Sequence, residues 1–210
     1  MKLAYPSASK LLIILSFIVF SNLSTAQKKS YGFSFGNQVT ALPIVGYPKL
    51  FYSNFHPSID FNYSIKLNKS SKNALYLSNN GAVLYHRFVQ TLAALTSAIS
   101  YHRQLNNRFN FNVGLGAGSG AAFEGGAVAR LNDAGEYEVK SKFSPRFQYI
   151  FHFQTGITYA LKKEIPDGIR LTAQFKTFLQ GTFVKNYVPL LPINAFQVGV
   201  QIPLKIESHE

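Results

Sequence analysis

The chain has 210 residues, with 21 Lys and Arg against 9 Asp and Glu, a formal net charge of +12, and neither Cys nor Trp. Phe and Tyr number 19 and 12, whereas charged residues make up only 14%. That aromatic content excludes a disordered chain, the lack of Cys excludes disulfides and Cys-based metal or iron–sulfur sites, and the abundance of Phe, Tyr, Asn and Gly excludes a helical repeat or coiled coil.

In chain order, the first element is a targeting segment. Lys2 and Lys10 form a basic region, residues 11–20 (LLIILSFIVF) an apolar core, and Ser24 and Ala26 place small residues before Gln27. These are the parts of a secretory signal peptide, and the core is too short to span a bilayer as a helix. Residues 1–26 are therefore expected to be removed, leaving 27–210 as a single domain. Losing two lysines lowers the net charge from +12 to +10 (12 − 2).

The body alternates with a period of two, as a strand with two different faces does. Tyr31, Phe33 and Phe35 alternate with Gly32, Ser34 and Gly36; Ile59, Phe61, Tyr63 and Ile65 alternate with Asp60, Asn62, Ser64 and Lys66. Weaker segments follow at about 74–88 and 98–105, the first with a parity break at Asn79-Asn80-Gly81 that suggests a bulge. Phe109, Phe111, Val113 and Leu115 are interleaved with Asn and Gly. The clearest run is Phe147, Tyr149, Phe151 and Phe153 against Gln148, His152 and Gln154. Ile169, Leu171, Ala173 and Phe175 alternate with Arg170, Thr172, Gln174 and Lys176, and Phe196, Val198, Val200 and Ile202 with Gln197, Gly199 and Gln201. Pro203 lacks a backbone donor, so the last strand is expected to fray there.

Eight strands result, and their connections fix the topology. Asn68–Asn73, Asn106-Asn107 and Lys162–Gly168 read as short turns. The segments at about 42–52, 89–97, 126–145 and 184–193 read as long loops. Short turns at one end and long loops at the other describe an all-β, up-and-down antiparallel barrel with both termini at the short-turn end. A soluble barrel would hide its apolar face inside, and a transmembrane barrel would show it to lipid. The polar parity carries Gln, Asn, Ser, Thr and Gly with one mid-strand acid, Asp60. That is too few charges for a water-exposed wall, and its glycines suit the narrow interior of eight strands. The expected fold is an eight-stranded transmembrane β-barrel.

On these features, including the turn-strand-glycine run Asn106–Gly118 (NNRFNFNVGLGAG), the chain resembles the small OmpA-like and OmpX-like outer-membrane β-barrel proteins of Gram-negative bacteria. The resemblance covers about Ser30 to Ile206 and implies residence in the outer membrane, amid its lipid and lipopolysaccharide. Eight strands leave no open aqueous channel, so a general porin is disfavoured. The function expected is non-enzymatic: envelope structure, surface interaction or an accessory part in secretion or export. The alternatives are a lipid-modifying hydrolase and a secreted lipocalin-like ligand carrier.

The polar parity predicts a lumen network of Asp60, Lys66, His152, Gln154, Arg170, Gln174 and Lys176. Asp60 and Lys176 lie at similar heights on strands separated by the two closing strands, and a charge in so narrow a space is costly unless paired. Asp60 is expected to pair with Lys176 or, failing that, with Arg170. Catalysis is not indicated, because His102 and His152 lie at different depths and no Ser is singled out by spacing. No metal ligand set and no cofactor are expected; Gly116, Gly118 and Ala121 match a dinucleotide fingerprint only formally, since no helix follows. Nucleic acid is not an expected partner, the aromatics lying apart from the basic residues. Lys28, Lys29, Lys69, Lys72, Arg108, Lys162 and Lys163 gather at the short-turn end. Arg87, Arg130, Lys140, Lys142, Arg146 and Lys185 gather at the other, where they could meet lipopolysaccharide phosphates. Three apolar stretches drawn as loop, Leu42–Phe51, Leu92–Leu95 and Val188–Ile193, could meet an envelope protein partner, a ligand or the membrane.

Overall fold

Strands that are apolar on one side and polar on the other bury both mismatches when the sheet rolls up and leaves no edge. The computed structural model describes residues 28–126, 129–131, 134–139, 145–162, 168–184 and 188–204; the expected signal peptide lies outside them. In chain order the elements are β1 (Lys29–Thr40), α1 (Pro43–Lys49), β2 (Pro57–Lys66), β3 (Asn73–His86), β4 (Gln90–Gln104), β5 (Phe109–Glu124), β6 (Ala129–Leu131), β7 (Tyr137–Val139), β8 (Arg146–Ala160), β9 (Arg170–Val184) and β10 (Val188–Leu204). Eight of them close a barrel in the order β1-β10-β9-β8-β5-β4-β3-β2, with β6 and β7 forming a separate hairpin in the connection between β5 and β8. Every pairing is antiparallel, and β1 meets β10 in unbroken register from Lys29↔Leu204 to Thr40↔Ile193.

The eight expected strands are all present, but four expectations about their limits change. Residues 90–97 and 188–193, drawn as loop, are strand, so only residues 87–89 separate β3 from β4 and only 185–187 separate β9 from β10. The long connections are therefore two, 41–56 and 125–145, rather than four. Asn79-Asn80-Gly81 forms no bulge, since β3 keeps continuous register with β2 and β4 through them. Pairing also continues through Pro203, opposite Ser30. Pro203 lies beyond the last β9 pair, Arg170↔Gln201, where β10 has one neighbour and proline is tolerated.

The interior is filled by matching small residues to large ones. On β5 the inward positions Gly114, Gly116, Gly118 and Gly120 stand opposite Gln154, His152, Ile150 and Gln148 of β8. A narrow lumen has room for the β8 side chains only because the facing strand offers none. At Gly116 an added methyl would overlap the His152 ring.

The outside is largely apolar, with an exposed Ser97–Asn79 pair as a polar exception on β3 and β4. Phe33, Phe61, Val83, Leu95, Leu115, Phe151, Leu171 and Val198, one from each barrel strand, are exposed. Tyr31, Tyr63, Tyr101 and Tyr159 ring the short-turn end, with Tyr31 and Tyr63 in ring contact at 5.3 Å and Arg108 donating to Tyr159 Oη at 2.7 Å. Tyr85 and Tyr149 are exposed toward the other end. Tyr149 and Tyr159 lie ten residues apart on β8; at ~3.3 Å per residue and a tilt of about 40° their separation along the axis is about 25 Å. That is the height of the apolar band of an outer-membrane barrel, bounded by aromatic girdles.

Closure without an exposed edge predicts resistance to detergent. Unheated protein should run ahead of boiled protein on an SDS gel, and Gly116→Leu should abolish the fast form by colliding with His152. Equal migration of heated and unheated wild type would contradict the closed barrel.

Candidate functional site

The lumen is stratified. At mid-height Lys176 Nζ of β9 meets Asp60 Oδ2 of β2 at 2.7 Å, with side chains 1% and 0% exposed. The pair bridges the barrel: β1 and β10 intervene on one side and four strands, β8, β5, β4 and β3, on the other. Asp60 is positioned by its pairing with Ser34 and Ala82, and Lys176 by its pairing with Ala195 and Gln154. The small neighbours leave the lysine stem room to cross. In a low-dielectric interior two such charges are tolerated only together, because the desolvation cost of each is several kcal/mol.

Beside the pair and toward the short turns, hydrogen bonds link neighbouring strands and, across an intervening strand, β9 to β1 and β10 to β2. Gln174 donates to Ser34 Oγ and to Gln197 Oε1, both at 3.3 Å, and Gln197 donates to Ser58 Oγ at 3.2 Å. Ser64 and Ser78 join at 2.8 Å, and Gln201 donates to Ser30 Oγ at 2.8 Å. Gln154, Gln174 and Lys176 line a residual polar cavity of about 40 Å³, space for very few water molecules. Lys66 and Arg170 share the inward parity at the short-turn end. His152 lies one inward step above the pair, in register with Phe178 and against its ring (centroids 5.6 Å), and neither ring nitrogen has a hydrogen-bond partner among the described residues.

Above the pair the lumen is dry. Ala82, Leu84, Leu92, Ala94, Ala122, Ile150, Phe178, Leu191 and Ile193 form one buried apolar cluster. The expectation of a wholly polar interior is corrected here: the polar parity turns apolar over the upper third. Gln90, Gln148 and Gln180, all buried, lie over this plug in a hydrogen-bonded set, with Gln180 donating to both others. Arg146 pairs with Glu124 at 3.2 Å and donates to the Phe183 carbonyl at 2.8 Å. Of the other basic residues expected at this end, Lys140, Lys142 and Lys185 lie outside the described residues, as does Lys163 at the short-turn end.

The two histidines considered for catalysis are not brought together. His102 contacts Tyr76 (ring centroids 4.5 Å) and Ser100 Oγ (3.1 Å from Nε2). His152 registers with Gly116 and through it with Ala98, four residues along β4 from His102, or roughly 13 Å of strand. No group of three or more metal-ligating side chains occurs among the described residues.

A second arrangement escaped the sequence reading and lies on the outer wall. Asn37, Thr177 and Asn194 occupy outward positions on adjacent strands, with Val39↔Asn194↔Thr177 in register. They hold the 41–56 connection against the barrel: Asn37 Nδ2 donates to the Leu50 carbonyl (2.8 Å), Asn194 Nδ2 to the Ala41 carbonyl (2.6 Å), and Tyr47 Oη meets Thr177 Oγ1 at 2.7 Å. Three polar breaks in the apolar parity of neighbouring strands were the available signal.

Removing one member of the central pair strands the other charge. Asp60→Ala should destabilise the barrel by about 3–5 kcal/mol, read as the midpoint of urea unfolding in detergent micelles. The double variant Asp60→Leu with Lys176→Met should recover most of that loss; equal instability of single and double variants would refute the pairing account.

No protein-family profile matches the chain, and no curated protein matches its sequence. Solved structures do. The neisserial surface protein A is similar over 84% of this chain and 96% of its own, at 11% identity and a TM-score of 0.51. The outer membrane enzyme PagL matches 83% of this chain and 99% of its own, at 9% identity and a TM-score of 0.47. Ail, the attachment invasion locus protein of Yersinia pestis, matches 85% and 97%, at 9% identity and a TM-score of 0.44. The chain thus has the closed, eight-stranded, up-and-down fold of the small outer-membrane β-barrels.

Proposed function

We propose that the protein is a sealed outer-membrane barrel that conducts no solute and catalyses no reaction, serving envelope structure, surface interaction or an accessory step in export. The observation that carries this reading is the occupied lumen. A buried ion pair, an apolar plug above it and a residual cavity of about 40 Å³ leave no path for a solute. A fold of this kind does not itself decide function, so the interior chemistry has to.

The hydrolase alternative rests on one contact, Ser100 Oγ to His102 Nε2 at 3.1 Å. Both side chains belong to the inward parity of β4, and the polar cavity they line is far smaller than an acyl ester. Asp60, the mid-lumen acid, is engaged by Lys176. A nucleophile that its substrate cannot reach does no chemistry, whatever its base. The lipocalin-like alternative is opposed by the exposed aromatic exterior and by a lumen already full of its own side chains. What remains available to a partner is the rim, where the β6–β7 hairpin exposes Glu136 and Tyr137.

Purified protein in planar lipid bilayers should show no conductance steps above the bare membrane. In cells, Ser100→Ala with His102→Ala should leave the lipid A and phospholipid composition unchanged relative to wild type, and deletion should do the same. A change in lipid composition on deletion that the double variant reproduces would overturn the non-enzymatic reading.

A further inference from the structure

We propose that residues 41–56 are not an extramembranous loop but an arm that lies in the hydrocarbon of the leaflet at the long-loop end, its outer side covered by lipid acyl chains. This rests on the membrane-barrel reading and extends it to a segment that no strand explains.

The level of the arm is fixed by its contacts. Tyr47 packs edge-on against Phe175 (ring centroids 5.1 Å) and bonds Thr177, while Phe51 meets Phe196 at 5.7 Å. Phe55 packs on outward Phe35 at 5.7 Å. Thr177 registers with Phe153, four residues below Tyr149 on β8. That is about 10 Å inside the upper aromatic girdle, too deep for bulk water.

Backbone at that depth must find its hydrogen bonds within protein, and much of the arm's backbone does. Pro43 and Pro48 carry no N–H; Val45 and Gly46 donate to the Leu42 carbonyl, Leu50 to Gly46, Phe51 to Pro48, and Tyr52 and Ser53 to Lys49. The carbonyls of Ala41 and Leu50 accept from Asn194 and Asn37, and His56 N donates to Asn37 Oδ1. Gly46 permits the seating, since a methyl there would overlap the Asn194 carboxamide. The side turned away from the barrel is the reverse in character. Ile44 is 90% exposed, and Leu42, Val45, Phe51, Tyr52 and Phe55 are exposed with it. Lys49 is the one ionic side chain from 41 to 55, with a stem long enough to carry its charge toward the headgroups. Apart from the exposed Asn54, polar groups turned inward and large apolar groups presented outward continue the lipid-facing belt of β1, β9 and β10. Lipid, rather than a protein partner, is the occupant that this continuity selects.

The chain contains no Trp, so single substitutions report without background. Ile44→Trp, Phe153→Trp and Tyr137→Trp would be prepared in the full mature chain and reconstituted in phosphatidylcholine vesicles with and without brominated acyl chains. Ile44→Trp should be quenched by the bromolipid about as strongly as Phe153→Trp at mid-wall, and should resist aqueous iodide. Tyr137→Trp in the hairpin should show the opposite. Iodide quenching at position 44 without bromine quenching would overturn the proposal, placing the arm in water. Quenching by neither reagent, together with dimer formation by Ile44→Cys under oxidant, would overturn it in favour of a second copy. If Phe153→Trp itself escaped bromine quenching, the membrane-barrel reading would fail rather than the arm alone.

Discussion

In hydrocarbon no backbone N–H or C=O can turn to water, so each must be answered by the chain itself. Closure of β1 on β10 meets that demand for the sheet, and once the sheet closes on eight strands, the lumen becomes too narrow for anything but its own side chains. The remaining features follow from that shortage of room. Glycines of β5 give way to the large side chains of β8. Asp60 and Lys176 can coexist because they reach one another. The glutamines and serines bond strand to strand because little solvent is at hand to serve them.

Much of this was legible from residue alternation, since a strand between lipid and a polar lumen repeats its contrast every second residue. The same contrast explains what was missed. Around Leu92-Ala93-Ala94-Leu95 and Leu190-Leu191-Pro192-Ile193 the lumen itself is apolar, so inward and outward positions look alike and the period disappears. These stretches then read as loops although they are the tops of β4 and β10. The central pair could be anticipated because Asp60 is the lone mid-strand acid and Lys176 lies at a matching height. The arm could not be anticipated from its own residues: a seven-residue helix containing two prolines has no helical signature to speak of. Its trace lay elsewhere, in Asn37, Thr177 and Asn194, polar residues on faces that should have met lipid.

The division of the lumen also bears on what kind of protein this is. A channel needs a continuous wet path and a ligand carrier needs an empty apolar one. Here the wet half ends at an ion pair and the apolar half is packed solid. Chemistry inside the barrel would have to begin by unpacking it. The interior is therefore best understood as the means by which a single-layer sheet acquires a core. The 125–145 connection and the arm differ in composition: the first mixes acidic and basic residues, the second is rich in aromatics and lies along the wall.

The strands are of unequal length, 10 residues in β2 and 12 in β1 against 17 in β10. At ~3.3 Å per residue and a tilt of about 40°, β2 rises about 25 Å, flush with the hydrocarbon, whereas β10 rises about 43 Å. The rim is therefore oblique, high over β4, β5 and β8 to β10 and level with the lipid at β2. An approaching macromolecule meets a parapet on one flank and an open sill on the other. Orientation about the membrane normal, which a symmetrical cylinder would not possess, becomes a property that neighbours in the envelope can read.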